Sequence, residues 1–164
     1  MISEQELYER LKKLDIPYKI VEHKPVFTTE EADKQIEGHV GVRTKSLFLT
    51  NKKKKRFFIV VMDDKKQLDL KFFKDIVGES RVKLASPDSM KEVLGLTPGV
   101  VSVFGLVEEN VGLIDIYYDR EMLKEEILTF HPNVNTKTIF LKTEDLLRYV
   151  STLGYENHIV DLPD

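Results

Sequence analysis

Four stretches of the chain place apolar residues at the three- and four-residue spacing of an amphipathic helix. Each stretch begins at a residue type that caps helices and is followed by a proline or a glycine. The predicted helices begin at Ser3, Asp69, Ser86 and Thr143 and are closed by Pro17, Gly78, Gly95 and Gly154. A fifth helix is predicted from Thr29 toward Ile36, because two glutamates follow the threonine.

Apolar runs of strand length lie between these helices. The clearest are residues 46–50 and 57–62, which flank a charged turn and predict a β-hairpin. Further strands are predicted at residues 18–23, within 96–106, and at 113–118, 127–130, 138–141 and 159–160. Strands and helices mix without strict βαβ alternation, so the pattern favours an α+β fold with a mixed sheet. No internal repeat or linker divides the chain, and residues 1–164 are predicted to form a single domain.

Composition excludes several classes of protein. The chain has no cysteine, which excludes thiol nucleophiles, thiolate zinc sites and disulfide scaffolds. Its four histidines have no metal-ligand spacing, and P-loop, dinucleotide and zinc-protease motifs do not occur, so we expect neither a metal nor a cofactor. A signal-peptide pattern is missing, and no apolar run approaches the roughly 20 residues of a membrane helix. We therefore expect a cytoplasmic protein without a membrane partner.

The charge of the whole protein gives no indication of nucleic-acid binding, but one local run does. The formal net charge is −3, so DNA is not an expected partner. The turn of the predicted hairpin nevertheless holds five cations, which we call the basic tip: Lys52, Lys53, Lys54, Lys55 and Arg56. A solvated turn explains such a run in most proteins, and a contact with a phosphate backbone is the alternative.

Three other segments carry residue types that suit ligand binding. Residues 95–106 include three glycines and one proline, and glycine lets a ligand approach backbone N–H groups closely. Residues 130–138, around His131, are dense in hydrogen-bonding groups, and Lys45 begins an apolar strand. Each also has a purely structural explanation: a helix cap and a bulge, the closing of turns, and a solubilising strand end.

These segments together resemble the YbaK/ProX-type trans-editing aminoacyl-tRNA deacylases, which are relatives of the insertion domain of bacterial prolyl-tRNA synthetase. The resemblance extends from Leu7 to about Val160, and within the family the chain looks like the ProX branch. Its motifs are Glu22-His23-Lys24-Pro25-Val26-Phe27-Thr28, Thr44-Lys45-Ser46-Leu47-Phe48-Leu49, residues 96–106 and Phe130-His131-Pro132-Asn133-Val134-Asn135. The resemblance implies a mixed, partly barrel-like sheet with flanking helices.

The resemblance also implies an ester hydrolase that removes alanine from mischarged tRNA(Pro) and spares Pro-tRNA(Pro). In this interpretation Lys45 is the catalytic cation that anchors the terminal nucleotide and orients the ester. Backbone N–H groups around residues 99–102 face the carbonyl, and His131 either acts as a general base or only positions the substrate. An aminoacyl ester is already activated, so placing a water molecule and stabilising the oxyanion are sufficient for hydrolysis.

The resemblance carries a set of substrate-binding residues. These are Phe27, Thr28, Ser46, Gly99, Val100, Ser102, Phe104, His131 and Asn135. A pocket too small for proline can admit alanine and exclude the larger residue, and Phe27, Val100, Val103 and Phe104 are candidates for its walls. The same four side chains also suit an ordinary core. Ser46 replaces the asparagine common in the family, which puts fine substrate preference in doubt.

The expected partner is mischarged tRNA, contacted at its acceptor end, with prolyl-tRNA synthetase as a second candidate. Correct Ala-tRNA(Ala) carries the same amino acid as the mischarged target, so the acceptor stem has to be recognised as well. We expect the basic tip to contact the phosphates of that stem. Two alternatives remain: a deacylase for Cys-tRNA(Pro) or a Ser-bearing tRNA, and a non-catalytic module that binds tRNA or a synthetase.

Overall fold

The computed structural model describes residues 2–25, 30, 34 and 37–163, and this part of the chain contains four α-helices. They are α1 (Glu4–Lys13), α2 (Leu70–Val77), α3 (Pro87–Leu94) and α4 (Thr143–Thr152). Three begin as the sequence predicts, because the side chains of Ser3, Asp69 and Ser86 accept hydrogen bonds from free N–H groups of the first turn. The fifth predicted helix falls mostly on residues outside the described part.

Eight strands of the described residues form one mixed sheet. They are β1 (Lys19–Glu22), β2 (Val42–Asn51), β3 (Phe57–Asp63), β4 (Val82–Leu84), β5 (Ile114–Asp119), β6 (Ile127–Phe130), β7 (Lys137–Lys142) and β8 (Asn157–Val160). The strand order is β1-β7-β6-β2-β3-β5-β8, and β4 pairs with β2 off this path. Neighbours pair antiparallel except β2 with β6, β3 with β5 and β5 with β8. The predicted α+β fold with a mixed sheet is confirmed.

Side-chain alternation along the central strands divides the interior into two cores. Phe48 of β2 and Ile59 of β3 point into the main core, which also receives Leu7 and Leu11 of α1. The intervening residues, such as Leu49 and Phe58, point into a smaller core that α2 covers. The sheet is therefore buried on both faces around β2 and β3, and these two strands form a rigid base for the groups that they carry.

The segment from Leu96 to Leu106 differs from its prediction. It contains no strand: an irregular loop leads into a single 3-10 turn, Val103–Gly105. Its apolar residues enter the main core from this loop and turn and not from a sheet. Gly105 belongs to this packing, because a Cβ atom there would lie 2.5 Å from Cδ1 of Leu96. The prediction of a strand within 96–106 is wrong because apolar periodicity alone does not distinguish a strand from a tightly packed turn.

The pairing of β2 with β6 positions the candidate site. These two parallel strands pair only at Val42 with Leu128 and at Arg43 with Thr129. Beyond that point β2 continues along β3, whereas β6 continues along β7, so the sheet forks. The side chains of Thr44 and Thr129 close the base of the fork by bonding to backbone carbonyls of the opposite strand.

No helix in the described part of the chain is long and apolar enough to cross a membrane.

Candidate active site

Lys45 lies on one side of the fork, two residues beyond Arg43, the last position at which β2 pairs with β6. Its cross-strand neighbour is Met62, so both side chains emerge on the face that holds the smaller core. The side chain is half-buried, and no described carboxylate pairs with its ammonium group. A partly desolvated cation without a counter-ion favours an anionic or strongly polar ligand.

His131 follows β6 on the other side of the fork. At the register of the paired positions it is the residue opposite Lys45, since each lies two residues beyond Arg43 and Thr129. Phe130 points into the main core, so strand alternation directs His131 to the same face as Lys45. The fork therefore has a lysine on one side and a histidine on the other.

The His131 ring has a defined tautomer. Its Nδ1 lies 3.0 Å from the carbonyl oxygen of Lys137, and a carbonyl only accepts, so Nδ1 carries the proton. Nε2 is then an acceptor in the neutral ring. Burial lowers the pKa of His131, and the neighbouring His23 lowers it further, while the Lys137 carbonyl raises it in part. At neutral pH the ring is neutral, and its Nε2 can accept a proton or a hydrogen bond.

Ser102 and Asn133 hold residues 95–106, the glycine-rich loop, against residues 131–136, the histidine loop between β6 and β7. The Ser102 hydroxyl is buried and lies 3.3 Å from the carbonyl oxygen of His131, and it accepts the N–H of Phe104 at 3.1 Å. The Asn133 amide donates to the carbonyls of Phe104 and Ile2 at 3.0 and 3.1 Å. These bonds fix the two loops relative to each other and to the start of the chain.

Gly99 lies at the exposed end of the glycine-rich loop. Its φ of +96° is in the region that favours glycine, and a Cβ atom there would meet nothing within 4 Å. The N–H of Val100 returns to the carbonyl of Thr97 at 3.3 Å, which makes a tight turn. The conformation of this turn, and not crowding, therefore explains the glycine.

The other predicted substrate-binding residues are distributed over several environments. Val100, Val103 and Phe104 have their side chains in the main core, and the Phe104 ring packs edge-on against Phe130 and Tyr149. Ser46 is half-buried on the main-core face of β2, opposite to the face of Lys45. Asn135 is half-buried in the histidine loop. Phe27 and Thr28 lie outside the described residues. A substrate contact for each of them stays a prediction.

His23 is a neighbour of His131 that the sequence analysis does not select. Its ring centroid lies 6.1 Å from that of His131, with the two planes at 70°. Its Nδ1 lies 2.8 Å from the carbonyl oxygen of Lys24, and its Nε2 lies 2.9 Å from the hydroxyl of Thr138. The only signal in the sequence is its position in the motif from Glu22 to Thr28.

The basic tip consists of two kinds of residue. Lys52, Lys53, Lys54 and Lys55 are exposed, and the Asn51 side chain organises their turn by accepting the N–H groups of residues 55 and 56. Arg56 instead pairs with Glu79 at 2.7 Å and Asp115 at 3.1 Å. Its guanidinium also covers the Phe58 ring at 4.9 Å. Arg56 therefore stabilises the base of the hairpin, and four lysines remain for a ligand.

A large cavity lies elsewhere and has a different charge. It has a volume of about 690 Å³ and lies between the turn after β3 and the segment after β5. Acidic side chains outnumber basic ones in its lining, and its Lys66 is already paired with Asp119 at 2.7 Å. Neither Lys45 nor His131 lines it. This charge makes the cavity a poor site for RNA phosphates. The described residues contain no group of three or more potential metal ligands.

Comparison with known proteins gives the family. The model of the aminoacyl-tRNA editing domain matches residues 23–149. The chain belongs to this family. The fork, the glycine-rich loop and the histidine loop all fall inside the matched residues. The predicted enzyme class, an aminoacyl-tRNA deacylase, is confirmed by this membership.

Relatives that match almost the whole chain agree with this family assignment. The prolyl-tRNA editing protein ProX of Acetoanaerobium sticklandii is 32% identical over 162 residues, which is 99% of each chain. The prolyl-tRNA synthetase associated domain-containing protein 1 of Mus musculus is 32% identical over 160 residues, covering 95% of this chain and 94% of its own. A solved structure described as a proposed trans-editing enzyme for prolyl tRNA synthetase superposes with a TM-score of 0.77 at 20% identity. It covers 100% of this chain and 99% of its own, and it confirms the fold.

The lowered pKa of His131 should make stability depend on pH. In the unfolded chain the ring takes up a proton near its ordinary pKa of 6.5, and in the folded chain only at lower pH. The unfolded state thus binds more protons in this range, so the stabilisation is complete above about pH 6.5 and is lost as the pH falls toward the folded pKa. Urea unfolding of the wild type should show a steeper loss of free energy between about pH 7.5 and about pH 5 than that of His131→Gln. Equal pH dependence of the unfolding free energy in the two proteins would contradict a lowered pKa of His131 in the folded state.

Proposed function

We propose that this chain hydrolyses the ester of Ala-tRNA(Pro) and spares Pro-tRNA(Pro). The observation that carries the proposal is the fork, where half-buried Lys45, with no carboxylate partner among the described residues, and neutral His131 follow the two diverging strands on the same face of the sheet. The names of the full-length relatives support tRNA(Pro) as the tRNA that carries the ester. The reaction takes place in the cytoplasm, on tRNA that is free or held by prolyl-tRNA synthetase.

The site can catalyse hydrolysis without a nucleophile of its own. Water adds to the ester carbonyl carbon, the bond to the ribose oxygen breaks, and the proton of the water passes to that oxygen. Lys45 anchors the terminal nucleotide through a phosphate or ribose oxygen. The N–H groups of residues 99, 101 and 102 face the developing oxyanion, since that of Val100 is bonded to Thr97 within the turn. His131 Nε2 accepts a hydrogen bond from the water or from the adenosine. Positioning and charge stabilisation then supply the rate enhancement.

Selectivity against proline would come from the size of the pocket. A synthetase pocket built for proline rejects the smaller alanine only weakly, whereas a second pocket can exclude proline by its bulk. The main-core packing of Val100, Val103 and Phe104 makes the floor of the glycine-rich loop rigid. Phe27 and Thr28 stay predicted substrate-binding residues in this proposal. Cysteine and serine are also small, so Cys-tRNA(Pro) and a Ser-bearing tRNA are the alternative substrates.

A non-catalytic tRNA-binding module is the alternative from another class. Such a module would need the basic tip but would have no need of Lys45 at the fork. Deacylation and binding therefore have to be measured on the same variants.

Single-turnover hydrolysis should separate these functions. We expect the wild type to remove alanine from tRNA(Pro) much faster than proline. Lys45→Ala should lower the rate at least about 100-fold, the order of effect that removing one preorganised hydrogen-bond donor has. The substrate panel is Ala-, Cys-, Ser- and Pro-tRNA(Pro) with Ala-tRNA(Ala). The matched control is Lys65→Ala, an exposed lysine of the large cavity, which should leave the rate unchanged.

Other results would change the assignment. Faster hydrolysis of the cysteinyl or seryl ester would replace alanine as the substrate. Hydrolysis of none of the five by the wild type, with tRNA binding intact, would favour the binding module. An equal loss in Lys45→Ala and Lys65→Ala would move the site away from the fork.

The basic tip should contribute to tRNA affinity through counterion release. Replacing its four lysines, Lys52, Lys53, Lys54 and Lys55, by glutamine should weaken tRNA binding and lower the slope of log affinity against log salt by about one for each phosphate that these lysines neutralise. The control makes the same charge change at four exposed lysines elsewhere: Lys12, Lys13, Lys91 and Lys124. Binding isotherms at several salt concentrations measure the affinity and the salt slope of each variant. An identical slope for the two variants would show that the tip is only a solvated turn.

A further inference from the structure

His23 lies where β1 ends and the chain turns away from the sheet. Its N–H donates to the carbonyl of Thr136 at 2.8 Å, which extends the pairing of β1 and β7 by one residue into the histidine loop. The His23 side chain is half-buried, and the Thr138 side chain beside it is 3% exposed. The ring is therefore enclosed by β7 and the histidine loop, and solvent reaches only part of it.

Two hydrogen bonds determine the orientation and the tautomer of this ring. The carbonyl oxygen of Lys24, 2.8 Å away, only accepts, so Nδ1 of His23 carries the proton. In the neutral ring Nε2 is then an acceptor, and the Thr138 hydroxyl donates to it at 2.9 Å. Both ring nitrogens of His23 are thus occupied by the protein, which leaves neither of them for a substrate or a metal.

The His131 ring is held differently. Its described ring-nitrogen contact is the bond from Nδ1 to the carbonyl of Lys137, so one hydrogen bond orients this ring where two orient that of His23. The His23 ring packs against it at 6.1 Å and 70°, in an edge-to-face arrangement. Because Lys137 and Thr138 are adjacent in β7, both rings are anchored to the same short piece of strand.

We propose that His23 is a positioning residue: its fixed ring holds the His131 ring in the orientation that directs Nε2 into the fork. The proposal rests on the proposed function for its effect on rate, but the orientation of His131 can be measured without any substrate. A residue that acts only on folding would alter stability. A positioning residue alters the signals of His131 and the chemical step.

The variants separate the contacts of His23. His23→Gln can still accept the Thr138 hydroxyl, and His23→Asn can still donate to Lys24, but both remove the ring. Thr138→Val keeps the ring and removes one of its hydrogen bonds at nearly constant volume. The matched control is His158→Gln on β8, at the other edge of the sheet, where the ring stacks on Tyr117 at 4.7 Å.

The ring nitrogens of His131, observed by NMR at neutral pH, give the direct test. In the wild type and in His158→Gln, Nδ1 should be protonated and Nε2 not. In His23→Gln and His23→Asn the two nitrogens should shift toward the average of the two tautomers, and Thr138→Val should give a smaller shift. Unchanged His131 signals in both His23 variants would overturn the proposal, whether or not the protein hydrolyses any ester.

The kinetic test uses non-additivity. His23→Gln should lower kcat about tenfold with little change in KM, which corresponds to about 1.4 kcal/mol in the transition state. In a His131→Gln background the same substitution should have almost no further effect, because the two residues act as one unit. A full tenfold loss in both backgrounds would show that His23 acts independently of His131 and would overturn the proposal. If His23→Gln does not fold, His23→Asn and Thr138→Val carry the same test.

Discussion

The pairing of β2 with β6 over only two positions is the constraint on which the candidate site depends. Parallel strands that stayed paired would satisfy each other's N–H and C=O groups and leave no space between them. Here β2 follows β3 and β6 follows β7, so the two halves of one sheet separate just beyond Arg43 and Thr129. Each half keeps its own antiparallel partner and a buried core, so both halves stay ordered where the strands diverge.

Much of the fold follows from local signals that the structure confirms. Asp69 and Ser86 bond to the first turns of their helices, and Gly78 and Gly95 end those helices at φ near +70°. The hairpin of β2 and β3 is equally local. The segment 96–106 could not be predicted in this way, because its shape depends on Gly105 packing against Leu96 and on distant side chains of the core.

The candidate site shows the same division. Lys45 and the histidine loop belong to motifs of the family resemblance, so the sequence could predict them as site residues. The fork then explains why they lie on the same face of the sheet. His23 could not be selected, because its significance comes from Thr138 and His131, more than one hundred residues away along the chain. Arg56 belongs to a basic run, yet Glu79 and Asp115 neutralise it, and only the tertiary structure brings those carboxylates to it. A basic run in a sequence therefore indicates a binding surface only through those cations that no carboxylate neutralises in the folded protein.

The central claim is that the aminoacyl end of tRNA binds in the fork. It is tested most directly by NMR chemical-shift mapping with alanyl-adenosine in which a stable amide replaces the ester. The fork predicts that the largest perturbations fall on Lys45, Ser102 and His131. Perturbations confined to residues of the acidic cavity, such as Lys66 and Asp119, with the fork unaffected, would contradict the account and place the ligand in that cavity.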